Sequence, residues 1–402
     1  MNLFNPEIKL EKQLQAQIYN ALEGDIVNYI LKNSGEPQGD IFLKSWKEGG
    51  SLKVTPDVMR DFYELCMDVK RRLGFDEPVD FFIAGSPEVN ANAIAAFKEG
   101  NPHIVTIYSG LYNLMNQDEL RYVVGHELGH LINKDGKLGR LLDFVYPNPN
   151  QMPVALAFKV RLHDQLQELV ADRYGYLACR NLEACVTSVF KLSSGLDLGK
   201  LGVSIDALMD RNDKALEFFL HQGGISDSTH PVNPIRIQAL RLFALARTDK
   251  ELEDGMNELI QVLLKSGSDP MDPPMSIFLA TAGIIAGSVD GQLTKAEYES
   301  IIANLSASHL FPSNFVESIP NEDVDKLFAD SVNALIKMDP NIRPMLLQYM
   351  IEITLADHDI HEKEVNFIYD IGQKLGLSVQ DISHIFGGAI QRYFSPSLSS
   401  LA

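Results

Sequence analysis

Apolar residues recur at helical spacing along most of the chain. Between residues 7 and 32 they fall at Ile8, Leu10, Leu14, Ile18, Leu22, Ile26, Ile30 and Leu31, which predicts two helices broken near Gly24. Turn-rich stretches follow at 33–37 and at Gly49-Gly50-Ser51; Trp46, the only tryptophan, lies between them and is assigned to packing. Thr55-Pro56 reads as the N-cap and first residue of a further helix, with Val58, Phe62, Leu65, Val69 and Leu73 as its buried stripe and Gly74 as its stop. The rhythm then changes. Three strand-like runs, 79–84, 92–97 and 104–108, predict a small antiparallel sheet, its last two strands joined by a hairpin loop at 98–102.

Helical spacing resumes after Asn116. With Asn116 as N-cap and Glu119 three residues on, a capping box starts a helix whose buried side is Leu120, Val123, Val124, Leu128 and Leu131, closed by Lys134-Asp135-Gly136. Residues 137–155, with three prolines, read as a loop. Helices are expected near 155–180, 182–192, 215–220, 235–246 and 252–264, with an irregular stretch at 221–234. The run 266–274, rich in Ser, Gly, Asp and Pro, is the clearest linker, and everything beyond it reads as helix. An internal echo lies there: Asp290 with Glu297 and Asp357 with Glu364, the acids seven apart in both, at a period of 67 residues. The expected architecture is mainly α with a small antiparallel sheet, followed by an all-α C-terminal domain. Its parts are an N-terminal helical segment 1–54, a domain 55–265, the linker 266–274 and a helical domain 275–402.

Composition narrows the partners. A length of 402 residues favours more than one domain, and a net charge of -19 argues against nucleic acid or an anionic membrane as main partner. Cys66, Cys179 and Cys185 form an odd set with no Cys-x-x-Cys pair, which fits a reducing compartment. The N-terminus has neither a basic nor an apolar leader region, and the longest apolar run, Ile277 to Val289, has thirteen residues where a span needs about 20. A soluble, cytoplasmic protein with no integral membrane segment is expected.

The candidate chemistry sits in Gly125-His126-Glu127-Leu128-Gly129-His130. Histidines four apart share one helix face, an arrangement in which two imidazoles hold Zn2+ and the adjacent Glu127 acts as general base. A third ligand is needed. Asn133 and Gly136 stand where a continuing His-x-x-Gly-x-x-His pattern requires glycine and histidine, so a glutamate from another helix is the alternative. Glu168, 38 residues after His130, supplies one, with Asp172 a turn later placed to accept a ring N–H from a ligand histidine. Taken alone, the same pair reads as two solvated acids.

These motifs, with Glu168-Leu169-Val170-Ala171-Asp172-Arg173-Tyr174-Gly175, Asn90-Ala91-Asn92-Ala93 before a strand, and Ser228-Thr229-His230-Pro231 followed by Arg236-Ile237, resemble the HtpX and CAAX prenyl protease (Ste24-like) family over roughly residues 55–245. The resemblance implies a gluzincin-type metalloprotease domain with one zinc on His126, His130 and Glu168, Glu127 as base and Asp172 behind the ligands. It further implies His230 as oxyanion stabiliser, Arg236 in support, and Asn92 and Ala93 on a substrate-binding edge strand. The expected activity is hydrolysis of peptide bonds in extended or unfolded protein segments. Many family members span membranes; no segment here is long enough to do so, and processing of prenylated proteins is not expected. Residues 275–395 resemble the TerB-like (tellurite-resistance) helical domain through the two Asp-(x)6-Glu signatures, which implies a possible protein partner through 275–402. A regulated or latent protease-fold adaptor is the alternative reading. A calcium loop at Asp357 is excluded because Ile368 holds the twelfth position, where a bidentate glutamate belongs.

Overall fold

The computed structural model describes residues 4–33, 36–149, 152, 154–222, 230–266, 272–287, 323–354 and 362–393. It is 73% helical; among the described residues the strands form one four-stranded sheet, and the C-terminal region is all helical. The residues fall into two compact units, one drawn from 1–149, 161–222 and 228–260, the other from 150–160, 223–227 and 261–402. Among the described residues no helix is long and apolar enough to cross a membrane.

In the first unit, α1 (Lys9–Ala21) and α2 (Gly24–Asn33) break at Gly24 as the apolar spacing predicts, and Leu10, Leu14 and Ile18 are buried on α1. Helix α3 (Glu36–Gly50) follows. Trp46 on it is exposed, with Lys47 Nζ 4.6 Å from the ring centre, so its expected packing role is corrected: its face of α3 looks to solvent. Thr55-Pro56 does not open a helix either. Thr55 bridges Val58 in a turn, Met59 takes a left-handed φ of 60°, and α4 begins later (Arg60–Leu73), ending at Gly74 as expected.

The sheet contains β1 (Leu52–Lys53), β2 (Val79–Ala84), β3 (Ala91–Ile94) and β4 (His103–Tyr108) in the order β1-β2-β4-β3. It is mixed rather than wholly antiparallel. β3 and β4 form the expected antiparallel pair, but β4 lies between β3 and β2 and runs parallel to β2. Covered on both faces, β4 is buried from His103 to Ile107, and Phe81 and Phe82 are both buried on β2; such continuous apolar runs suit interior strands. β3 is left at the edge.

After α5 (Ser109–Leu114), the capping box forms as read: Asn116 Oδ1 accepts from the Asp118 and Glu119 amides, and Glu119 Oε2 accepts from the Asn116 amide at 2.7 Å. Helix α6 (Gln117–Asn133) ends at Lys134, whose φ is 64°, and the chain at once enters α7 (Asp135–Val145). The loop expected at 137–155 is therefore corrected over its first half. Leu138 and Leu141 are buried on α7, an amphipathic rhythm that outweighs Gly136 and Gly139. Then come α8 (Val154–Cys179), α9 (Leu182–Ser194), α10 (Ile205–Gln222), α11 (Asn233–Leu245) and α12 (Asp249–Ser266). The core of this unit joins α4, the sheet, α6, the end of α8, α9 and α11 through Phe62, Phe81, Val105, Val124, Leu128, Val189 and Leu240.

In the second unit, α13 (Asp272–Gly287), α14 (Val324–Met338), α15 (Arg343–Thr354), α16 (Glu362–Lys374) and α17 (Val379–Tyr393) enclose a separate core around Phe278, Leu335, Leu347, Ile368 and Ile382. The echoing acids Asp290, Glu297 and Asp357 lie outside the described residues, as do Ser228 and Thr229.

Candidate metal and active site

Close helix packing builds the site. A Cβ added to Gly125 would lie 2.5 Å from the Ala178 Cβ, and one on Gly129 would lie 3.0 Å from the Ala171 Cα, so both glycines of α6 let α8 approach at backbone distance. Gly175 of α8 fits under Tyr122 in the same way, with a built Cβ 2.8 Å from the Tyr122 main-chain oxygen. This seam sets two α6 histidines against the acids of α8.

The Nε2 atoms of His126 and His130 are 3.2 Å apart, with the rings nearly perpendicular. Glu168 closes the triangle, Oε2 at 3.5 Å from His126 Nε2 and Oε1 at 3.5 Å from His130 Nε2. Zinc bonds of about 2.0–2.2 Å at tetrahedral angles separate their donors by roughly 3.3–3.5 Å, so these three donors fit such an ion. The tautomers fit as well. His126 Nδ1 lies 3.0 Å from Asp172 Oδ1, and His130 Nδ1 lies 2.8 Å from Asp135 Oδ2, so both rings offer N–H to a carboxylate and turn the Nε2 lone pairs toward each other and toward Glu168. Glu168 Oε2 is buried without a hydrogen bond. Converging lone pairs and an orphaned carboxylate oxygen are costly unless a cation sits among them.

The electrostatics also favour positive charge here. Burial opposes charge on His126, but the neighbouring carboxylates of Asp172 and Glu168 outweigh it and raise its pKa to about 10. Burial likewise opposes the Glu168 carboxylate, yet His126 and His130 hold it down to about 2. Asp172 is depressed further despite burial, because Arg236 grips it through Nε at 2.9 Å and Nη2 at 2.6 Å. The Tyr122 hydroxyl donates to Asp172 Oδ1 at 2.6 Å. Glu127 is buried beside the histidines; burial raises its pKa, and the neighbouring imidazoles offset part of the rise.

The site opens into a cleft of about 630 Å³ lined by β3 residues Ala91, Asn92 and Ala93, by Glu127 and Leu192, and by His230 and Arg236. His126, Glu127, His130, Glu168, Asp172, Asn92, Ala93, His230 and Arg236 are thus brought to one place. His230 is half-exposed, its Nε2 3.4 Å from Glu168 Oε1, and Arg236 reaches the site by holding Asp172, with Nη2 3.8 Å from Glu168 Oε2. Among the described residues of 1–50, none lines the cleft. Sequence reading missed Asp135, taken only as part of a helix stop, and Tyr122. The spacing of Tyr122, one turn before His126 on the same face, was the available signal for the latter.

The comparisons agree with this picture. Residues 60–145 match the model of peptidase family M48, and residues 277–385 that of tellurite resistance protein TerB. The plastoglobule-localized metallopeptidase 48 of Arabidopsis thaliana is 25% identical over 207 residues, covering 48% of this chain and 59% of that protein. Protease HtpX of Acinetobacter baumannii (strain AYE) is 33% identical over 104 residues, covering 24% of this chain and 33% of its own. The HtpX homolog of Thermococcus kodakarensis is 33% identical over 79 residues, covering 20% and 26%. Residues 60–145 are thus similar to peptidase family M48, HtpX proteases among its relatives, and residues 277–385 to TerB. The chain spans 59% or less of the length of each of these relatives.

Proposed function

We propose that this chain is a zinc-dependent endopeptidase that cuts extended or unfolded protein segments, working as a soluble cytoplasmic enzyme. The observation that carries the reading is the triangle of His126 Nε2, His130 Nε2 and Glu168 carboxylate oxygens, with sides of 3.2, 3.5 and 3.5 Å, beside the buried Glu127. His126, His130 and Glu168 would hold the ion. Bound there, zinc would polarise a substrate carbonyl and lower the pKa of a water to about 7.

The remaining steps belong to side chains of this chain. Glu127 takes a proton from the attacking water and returns it to the departing amine. His230, at the cleft rim, donates a hydrogen bond to the carbonyl oxygen as it becomes negative. Asp172, held by Arg236 and Tyr122, keeps the His126 ring oriented, and Asp135 does so for His130. The edge strand at Asn92 and Ala93 offers backbone groups to an extended segment, which favours unfolded substrates over folded ones. The helical region 275–402 is assigned on this reading to a protein partner; neither candidate metal cluster among the described residues falls in it.

The test is proteolysis of a permanently unfolded protein and of the same protein folded. Chelation should abolish cleavage of the unfolded form, one equivalent of zinc should restore it, and the folded form should persist. Cleavage unaffected by a chelator would overturn the proposal.

A further inference from the structure

Asp135, the partner of His130, is itself held from one side. Asn133 Nδ2 donates to Asp135 Oδ1 at 2.7 Å and to Glu11 Oε1 at 3.1 Å, so a single buried amide joins two buried carboxylates. Glu11 belongs to α1, 122 residues earlier in the chain, and is completely buried. Two other α1 side chains reach the same asparagine. Lys12 Nζ donates to Asn133 Oδ1, and Gln15 Nε2 donates to the Asn133 main-chain oxygen at 3.2 Å. Residues 11, 12 and 15 share one face of α1, and that face grips the last residue of α6.

His163 on α8 closes the cluster, its Nε2 3.1 Å from Glu11 Oε1. Burial opposes its charge, but Asp164 and Glu11 outweigh burial and push its pKa up to about 9. Glu11, Asp135 and His163 also stand close enough together to suggest a second cation site. The Asn133 amide hydrogens serve one oxygen of each carboxylate, and Lys12 and the His163 imidazolium offset the charge of Glu11, while Glu11 Oε2 and His163 Nε2 make no hydrogen bond of their own. A buried carboxylate is costly unless it secures partners. Here the partner at the far end is a candidate metal ligand.

We propose that α1 positions the metal site: Glu11, Lys12 and Gln15 fix Asn133, Asn133 fixes Asp135, and Asp135 fixes the ring and tautomer of His130. The inference rests on the zinc reading above and extends it to a helix that does not touch the cleft. Glu11 is a positioning residue, acting only through Asp135.

The test uses the full chain and the zinc dissociation constant, measured by competition with a chromophoric chelator, for wild type, Glu11→Gln, Gln15→Leu, Asp135→Asn and the double variant Glu11→Gln/Asp135→Asn. Removing the carboxylate partner of a ligand histidine weakens metal binding about 10–100-fold, the range expected for Asp135→Asn. Glu11→Gln should weaken zinc about tenfold, the lower end of that range. Gln15→Leu, which leaves every buried charge in place, should weaken it in the same direction. The double variant should bind zinc no more weakly than Asp135→Asn alone, and the wild type should take one ion per chain. Zinc affinity unchanged in Glu11→Gln and Gln15→Leu, whatever happens to their melting temperatures, overturns the proposal. So does an additive double variant, or a second ion lost with Glu11. A wild-type chain that binds no zinc overturns the metal reading itself, and this inference with it.

Discussion

Gly125→Ala probes how the fold makes the site. Gly125 precedes His126 on α6, and an added methyl would sit 2.5 Å from the Ala178 Cβ and 3.0 Å from both the Gly175 Cα and the Tyr174 carbonyl oxygen. Ordinary contact begins near 3.4 Å, so α8 must retreat or rotate by roughly 1 Å, and two of the three obstacles are backbone that no rotamer change can move. Overpacking of this kind costs about 1–3 kcal/mol, while alanine in place of a helix-interior glycine recovers about 1 kcal/mol. The net loss of stability is therefore about 0–2 kcal/mol, a few degrees in Tm for a unit of this size. The site is far less tolerant. Ligand distances must hold to about 0.2 Å, and a displacement of 1 Å in catalytic geometry costs on the order of 100-fold in rate. Calorimetry, chelator competition and turnover of an unfolded substrate should show a modest Tm change, zinc affinity down at least about tenfold and kcat/KM down about 100-fold. Gly139→Ala on α7, where an added methyl meets nothing within 4 Å, should be neutral or stabilising and leave zinc binding intact. A Gly125→Ala protein with native zinc affinity and turnover would refute the argument that the glycine seam sets the ligand geometry.

Other expectations follow from buried charge and from the thiols. Arg236→Ala leaves the Asp172 carboxylate buried without its cation and should cost about 3–5 kcal/mol in chemical denaturation, with zinc weakened as well; native stability would show that the pair is not a structural unit. The pKa of His163, held at about 9 against an unfolded value of about 6.5, stabilises the fold fully below pH 6.5, and that contribution is lost as pH rises through 9. Denaturation followed from pH 6.5 to 10 should therefore show a loss of about 3 kcal/mol that His163→Gln abolishes, and an unaltered slope in that variant would refute the assignment. Among the cysteines, Cys179 lies 3.4 Å from Cys185 and its pKa is lowered, first by that neighbour's hydrogen bond, whereas burial pushes Cys66 and Cys185 up. Limited alkylation read by peptide mass spectrometry should modify Cys179 first, and earlier reaction at Cys66 would contradict the geometry.

Local chemistry was legible in the residue pattern wherever the relevant neighbours lie within a turn or two. The His126–His130 pair, the Glu168–Asp172 pair and the Asn116–Glu119 box each rest on spacings of three or four, and the structure brings each together as its spacing suggests. Long-range choices were not legible. Nothing near β4 tells it to pair in parallel with β2, and the prolines at 147, 149 and 153 hid α7, whose Leu138 and Leu141 repeat lies just before them. Trp46 shows that an aromatic residue on a helix need not face the core. Asp135 looked like punctuation because its partners, His130 and the Asn133–Glu11 link, depend on where α1 docks. The glycines of α6 were invisible as packing devices, since their meaning lies in the approach of α8.

The central claim is that Glu127 is the base of a zinc peptidase held by His126, His130 and Glu168. The most direct measurement is zinc content and turnover of an unfolded protein, side by side for wild type and Glu127→Gln. The account predicts one zinc per chain in both and peptide-bond cleavage only in the wild type, with the variant down by at least about 100-fold. Cleavage that survives in Glu127→Gln, or a wild-type chain that cleaves without zinc, would contradict it.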